Sequence, residues 1–127
     1  MSLDEIYRAY LTCLDERRFG DLDRYVHDTI TYNGAAMTRA RYAGLIADDA
    51  AAIPDLMFVV DRLVVAGDDV AARLWFDCTP RGGFRGVPVN GRRVAFAEHV
   101  FYRFAEGRIA EVWSVIDVEA VREQLGA

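Results

Sequence analysis

The chain of 127 residues is long enough for one domain, residues 1–127, with a core that needs no disulfide staple, and its net charge of −5 without a basic stripe argues against nucleic acid as a partner. All 15 basic residues are arginine, which excludes Schiff-base chemistry and a P-loop lysine. Cys13 and Cys78 are too few for a disulfide framework or zinc cluster and read as reduced core thiols. No apolar run approaches the roughly 18 residues of a membrane span. The acidic start "MSLDEIYRAY" is unlike a signal peptide, so the expected location is cytoplasmic, with no membrane partner.

In chain order, Leu3, Ile6, Tyr7, Tyr10, Leu11 and Leu14 recur at helical spacing. Ser2 and Glu5 offer a capping box at the start of that helix, and Phe19-Gly20 is the expected stop. "DLDRYV" reads as a short second helix and "TITYNG" as a short strand ending at Asn33-Gly34. Thr38 caps a third helix that turns Tyr42, Leu45 and Ile46 inward, and Pro54 closes it. Two long strands follow, "LMFVVDRLVVAG" and "DVAARLWFDCTP", around a Gly67-Asp68 turn. "RGGFRGVPVNG" is a glycine-rich loop. "RRVAFAEHVFYRF" and "RIAEVWSVID" form a last hairpin around Glu106-Gly107, and "VEAVREQL" is a closing helix. Helices first and long antiparallel strands after define an α+β domain. Strands of this length must curl, and a curled sheet under helices encloses a cavity.

With a two-residue turn, simple pairing places Phe104 opposite Ile109, Tyr102 opposite Glu111, Val100 opposite Trp113, Glu98 opposite Val115 and Phe96 opposite Asp117, all on one face. The other face then carries Ala97, His99, Phe101, Arg103, Val112 and Ile116. Both are apolar, so one is expected to line the cavity and the other to meet a second subunit, giving a homodimer or higher oligomer. Carboxylates among aromatic side chains on the covered face point to a small-molecule site.

"GGFRGVPVNGRRVAF" resembles the G-x-F-x-G-x-P-P-T-G-R-x-V-x-F segment of the SnoaL-like polyketide (ester) cyclases, with Pro88-Val89-Asn90-Gly91 where the family has Pro-Pro-Thr-Gly. "FYRFAEGRIAEVWSVID" resembles their F-Y-R-F-x-D-G-K-I-x-E-x-W-x-V-x-D hairpin. The resemblance implies a nuclear transport factor 2-like cone, helices packed over a strongly curved antiparallel sheet enclosing a pocket. It also implies cofactor-free acid/base chemistry with no metal, an aldol-type cyclisation or related isomerisation of a hydrophobic, aromatic or polyketide molecule. By the same likeness the acid/base aspartate maps onto Asp117, the pocket tryptophan onto Trp113 and an asparagine onto Asn33.

Each candidate also has a plainer reading. Asp117 directly precedes the last helix and can serve as its cap. Glu98 can be a second carboxylate of the site or a buried ion-pair partner of Arg73 or Arg92. His99 belongs to the outer face by strict alternation and reaches the pocket only through a bulge. Asn33 can be a turn residue. Tyr102, Trp75, Tyr32, Phe96 and Val100 are core or pocket wall, and Arg73 needs an acceptor such as Asp77 or Glu98. A binding protein without chemistry would use the same pocket.

Overall fold

A computed structural model describes residues 1–126; Ala127, the last residue of the expected domain, lies outside them. Helix α1 spans Leu3–Asp15 and begins with the expected capping box, the Ser2 hydroxyl accepting from the Glu5 amide at 3.2 Å and the Glu5 carboxylate from the Ser2 amide at 3.2 Å. It buries Tyr7, Tyr10, Leu11 and Leu14 along one stripe. The helix stops earlier than the sequence suggests, because Arg17 turns left-handed at φ 59°, and Phe19–Arg24 forms a short 3₁₀ segment instead of an α-helix.

Strand β1 covers Val26–Tyr32 and turns through Asn33 and Gly34, φ 47° and 88°, into a short strand β2, Ala35–Thr38, which the sequence did not reveal. Both turn residues lie where a two-residue hairpin requires positive φ. Thr38 caps α2, Arg39–Ala52, by accepting from the Arg41 amide. Tyr42 is its one buried side chain; Leu45 and Ile46 line a cavity, and Ile46 also packs against the core. Strands β3 (Val59–Ala66) and β4 (Asp69–Cys78) form the first long hairpin. The glycine-rich loop holds a two-stranded ribbon, β5 (Gly83–Phe84) and β6 (Val87–Pro88), with Arg85 and Gly86 at its tip. Strands β7 (Val94–Ala105) and β8 (Arg108–Ile116) form the last hairpin, and α3 (Val118–Gln124) closes the described chain.

The main sheet runs β2-β1-β8-β7-β4-β3 and is antiparallel except at the seam of β1 with β8, which is parallel. Helices cover one side of this curved sheet. Beyond the end of β8, the Gln124 amide takes the place of a strand, accepting from the Ala95 N–H at 2.8 Å and donating to its carbonyl at 2.5 Å. Both cysteines are free and buried. No described helix is long and apolar enough to cross a membrane.

The register of the last hairpin departs from the simple pairing. Phe104 faces Ile109 as expected, but the next pair is Arg103 with Glu111. Ala110 is therefore an extra residue, a bulge in β8. From there the pairs are Tyr102–Val112, Phe101–Trp113, Val100–Ser114, His99–Val115 and Glu98–Ile116. A one-residue slip moves every later side chain of a strand to the other face. Val112, Ser114 and Ile116 thus join the covered face, whereas Glu111, Trp113 and Val115 turn outward.

Candidate functional site

Between the sheet, α1, α2 and the β5–β6 ribbon lies a cavity of about 590 Å³. Its walls are mostly aromatic and aliphatic. Tyr10, Tyr42 and Tyr102 stand on one side, and Phe76, Phe84 and Phe96 form a packed run, with ring centroids 5.3 Å apart for Phe76–Phe96 and 5.1 Å for Phe84–Phe96. Such a lining suits a small apolar molecule.

The polar groups in this wall are few. Glu98 projects from β7, half-buried, and its carboxylate accepts a short hydrogen bond from the Ser114 hydroxyl across the hairpin. The bulge at Ala110 makes this pair possible by turning Ser114 inward. Burial raises the Glu98 carboxyl above its ordinary value; the Ser114 hydrogen bond and the Arg85 guanidinium oppose the rise, and Asp49 adds to it. Arg85, at the ribbon tip, pairs with Asp49 of α2 at 3.1 Å and lies over the Phe84 ring. This ion pair ties the ribbon to the helix beside the cavity. Burial also raises the Asp49 carboxyl, against the pull of Arg85.

Of the residues singled out from sequence, Glu98, Asn33, Tyr102, Tyr32 and Phe96 line the cavity. Val100 shares the covered face but is packed in the core. Five others, Asp117 among them, lie elsewhere. Trp113 is on the outer face opposite Phe101, because of the bulge. Trp75 and Arg73 point outward from β4, and Arg73 finds its acceptor in Asp61 at 2.6 Å, not in Asp77 or Glu98. His99 keeps the outward side that alternation gives it, since the bulge is in the partner strand. Arg92 reaches the Leu125 carbonyl, so neither arginine partners Glu98.

Asp117 is exposed outside the cavity lining, and its carboxylate accepts from the Ala120 amide at 3.1 Å as the N-cap of α3. Asp117→Asn is therefore expected to leave the melting temperature nearly unchanged, since Asn caps about as well as Asp, whereas Asp117→Ala should cost about 1 kcal/mol. Thermal unfolding of the two variants checks this.

Asn33 lines the cavity but its amide is engaged. Its oxygen accepts from the Ser114 N–H at 2.8 Å and its nitrogen donates to the Ser114 carbonyl at 3.4 Å. It locks β8 at the residue that holds Glu98. Sequence reasoning missed Ser114 and Asp49, and took Arg85 as a rim charge beside the glycine loop without its partner. Ser114 was hidden by the bulge; Asp49 and Arg85 meet only through the docking of the ribbon on α2.

A cone of helices over a curved sheet, hollow and aromatic inside with the Glu98 and Asp49 carboxyls shielded in its wall, defines a small-molecule pocket domain. The chain belongs to the SnoaL-like polyketide cyclase family, whose family model matches residues 4–125. It is similar to a SnoaL-like polyketide cyclase from Agrobacterium tumefaciens, with 45% identity, 99% of each chain covered and a TM-score of 0.97. TsrD from Streptomyces laurentii shares 27% identity over 98% of this chain and 94% of its own, with a TM-score of 0.84. IdmH from Streptomyces antibioticus has the same fold, with 22% identity, all of each chain covered and a TM-score of 0.86. No curated protein matches the chain.

Proposed function

We propose that this protein is a cofactor-independent acid/base enzyme that cyclises or isomerises a flat, hydrophobic carbonyl compound, with Glu98 as the base. The supporting observation is the Glu98 carboxylate on the wall of an aromatic cavity, with Ser114 donating to one of its oxygens. Its raised pKa makes it a stronger base than a solvated carboxylate. In the proposed step Glu98 takes a proton from carbon beside a carbonyl, and the C–H electron pair becomes an enolate. The enolate carbon bonds to a second carbonyl carbon of the same molecule, and the new alkoxide recovers the proton from Glu98. An isomerisation returns the proton to another carbon instead.

Deuterium incorporation from D₂O into a planar aromatic ketone tests the base. Exchange should be fast with the wild-type protein and lost in Glu98→Gln; equally fast exchange in both would reject Glu98 as the base, and exchange no faster than in buffer would leave the cavity as a binding site only. Among the described residues, no group of three or more His, Cys, Asp or Glu is placed to hold a metal. Turnover is expected to survive chelator; loss in EDTA restored by a divalent ion would overturn the mechanism.

The protein is further proposed to work in the cytoplasm as a homo-oligomer. Val59, Trp75, Phe101, Trp113 and Val115 are exposed together on the outer sheet face, Phe101 at 60% and Val115 at 71%. Of the flanking charges, Arg73 is paired with Asp61 and Arg103 with Asp69 on the same chain. A second copy supplies the same apolar patch.

A further inference from the structure

Four buried tyrosines stand together against the cavity, and the proton count of their hydroxyls does not close. Tyr7 donates to Tyr102 at 3.3 Å, and Tyr10 and Tyr42 share a hydrogen bond of 2.6 Å. The two pairs are neighbours, with the Tyr10 and Tyr102 rings 6.2 Å apart at 74°. Each phenol carries one proton to donate. Tyr7 spends its proton on Tyr102, so that of Tyr102 is left over. One proton of the Tyr10–Tyr42 pair is likewise left, whichever of the two donates. Neither spare proton has a protein acceptor among the described residues.

Tyr102, Tyr10 and Tyr42 all line the cavity, yet Tyr102 and Tyr42 are only 4% exposed and Tyr10 only 1%. A buried O–H without an acceptor is costly. Burial holds all four phenols above their ordinary values, so they stay protonated donors through the neutral range. One proton of the Asn33 amide is already donated to the Ser114 carbonyl, and the Arg85 guanidinium is paired with Asp49.

We infer that the Tyr102 hydroxyl and the Tyr10–Tyr42 pair form a two-donor site for one oxygen of the ligand, the carbonyl oxygen of a neutral, conjugated planar ketone or ester. This rests on the cyclase-type reading above and adds the ligand's polar end to it. Tyr102 and Glu98 lie four residues apart on one face of β7, about 13 Å along the strand. An extended conjugated system reaches from the carboxylate to the donors, and charge created at one end is stabilised at the oxygen of the other.

The probe is 2-acetonaphthone with a ¹³C-labelled carbonyl, its stretching band read by infrared difference spectroscopy on the wild-type protein. The band of the bound ketone is expected well below its position in alkane, as two donors require. Tyr102→Phe and the double variant Tyr10→Phe/Tyr42→Phe should each move it upward. Each should also weaken ketone binding about three- to tenfold without weakening that of naphthalene, which has no oxygen. A single Tyr42→Phe should do little, because Tyr10 then offers its own proton. A wild-type band at the alkane position, or one that neither the single nor the double variant moves, would overturn the donor site. Glu98→Gln should leave the band in place, so deuterium exchange retained in that variant with the band still low would reject Glu98 as base and keep the donors.

Discussion

Glu98→Gln is expected to lower turnover by about 10²–10⁴-fold, the usual contribution of a positioned acid or base, while raising the melting temperature on the alkaline side of the Glu98 titration. The two effects share one cause. Burial raises the Glu98 carboxyl relative to the unfolded chain. The folded state therefore binds this proton more tightly than the unfolded state does. The stability Glu98 contributes is full below its unfolded pKa and is lost as pH rises through its folded value. At higher pH the protein holds a shielded charge at a cost, and Gln removes the charge while keeping the shape and a partner for the Ser114 hydroxyl. Wild-type activity should rise with pH over the same interval, as the carboxylate forms. Calorimetry and rate measurements across that interval check both halves. A variant with wild-type turnover would reject Glu98 as the base, and one that is less stable at every pH would assign it a purely structural role.

Phe101→Asp is expected to convert the protein to a monomer at micromolar concentration. Phe101 is 60% exposed and sits between outward-facing Ala71 and Trp113. Aromatic anchors at the centre of an interface commonly cost 2 kcal/mol or more when removed, about 30-fold in dissociation constant. Across a two-fold axis each subunit also gains a carboxylate near its partner's copy, which repels. The isolated chain should lose little, since Phe101 contributes little to its core. Light scattering at several concentrations reads the outcome; wild-type protein that scatters as a monomer would remove the basis for the interface.

The parts of the fold governed by local rules are readable in the amino-acid order. Ser2 with Glu5 and Thr38 ahead of Arg41 mark helix starts through hydrogen bonds that span only three residues. The long strands announce themselves by alternation, and Asn33-Gly34 and Glu106-Gly107 by the backbone their turns require. The sequence-level resemblance to the SnoaL-like cyclases rests on these same turn and strand residues, and the family match covers them.

The site was less legible, for two physical reasons. Ala110 leaves no mark of its own, because alanine suits a regular strand and a bulge alike. Yet that one residue turns Trp113 out and Ser114 in. Asp49 and Arg85 are 36 residues apart and meet only when the ribbon docks on α2. Glu98 was legible because a carboxylate in step with Phe96, Val100 and Tyr102 contradicts the pattern of a solvated edge.

The bulge also affects how such chains can diverge. A strand is read in a two-residue frame, and Ala110 acts on β8 as a frameshift does on a coding sequence. Deleting that residue would leave Glu111 opposite Arg103 and every later side chain on its present face, whereas closing the bulge with Ala110 kept would exchange the two readings of "EVWSVI": Trp113 and Val115 would enter the cavity, while Ser114 would leave Glu98 and point outward. The hydrogen bonds of the hairpin itself could re-form after such a change, but ligand shape, base environment and subunit contact would all change at once. A one-residue register slip near this turn is thus a short route between cavities of different chemistry on one scaffold. Relatives that match this hairpin letter by letter yet pair it without the bulge need not share its ligand.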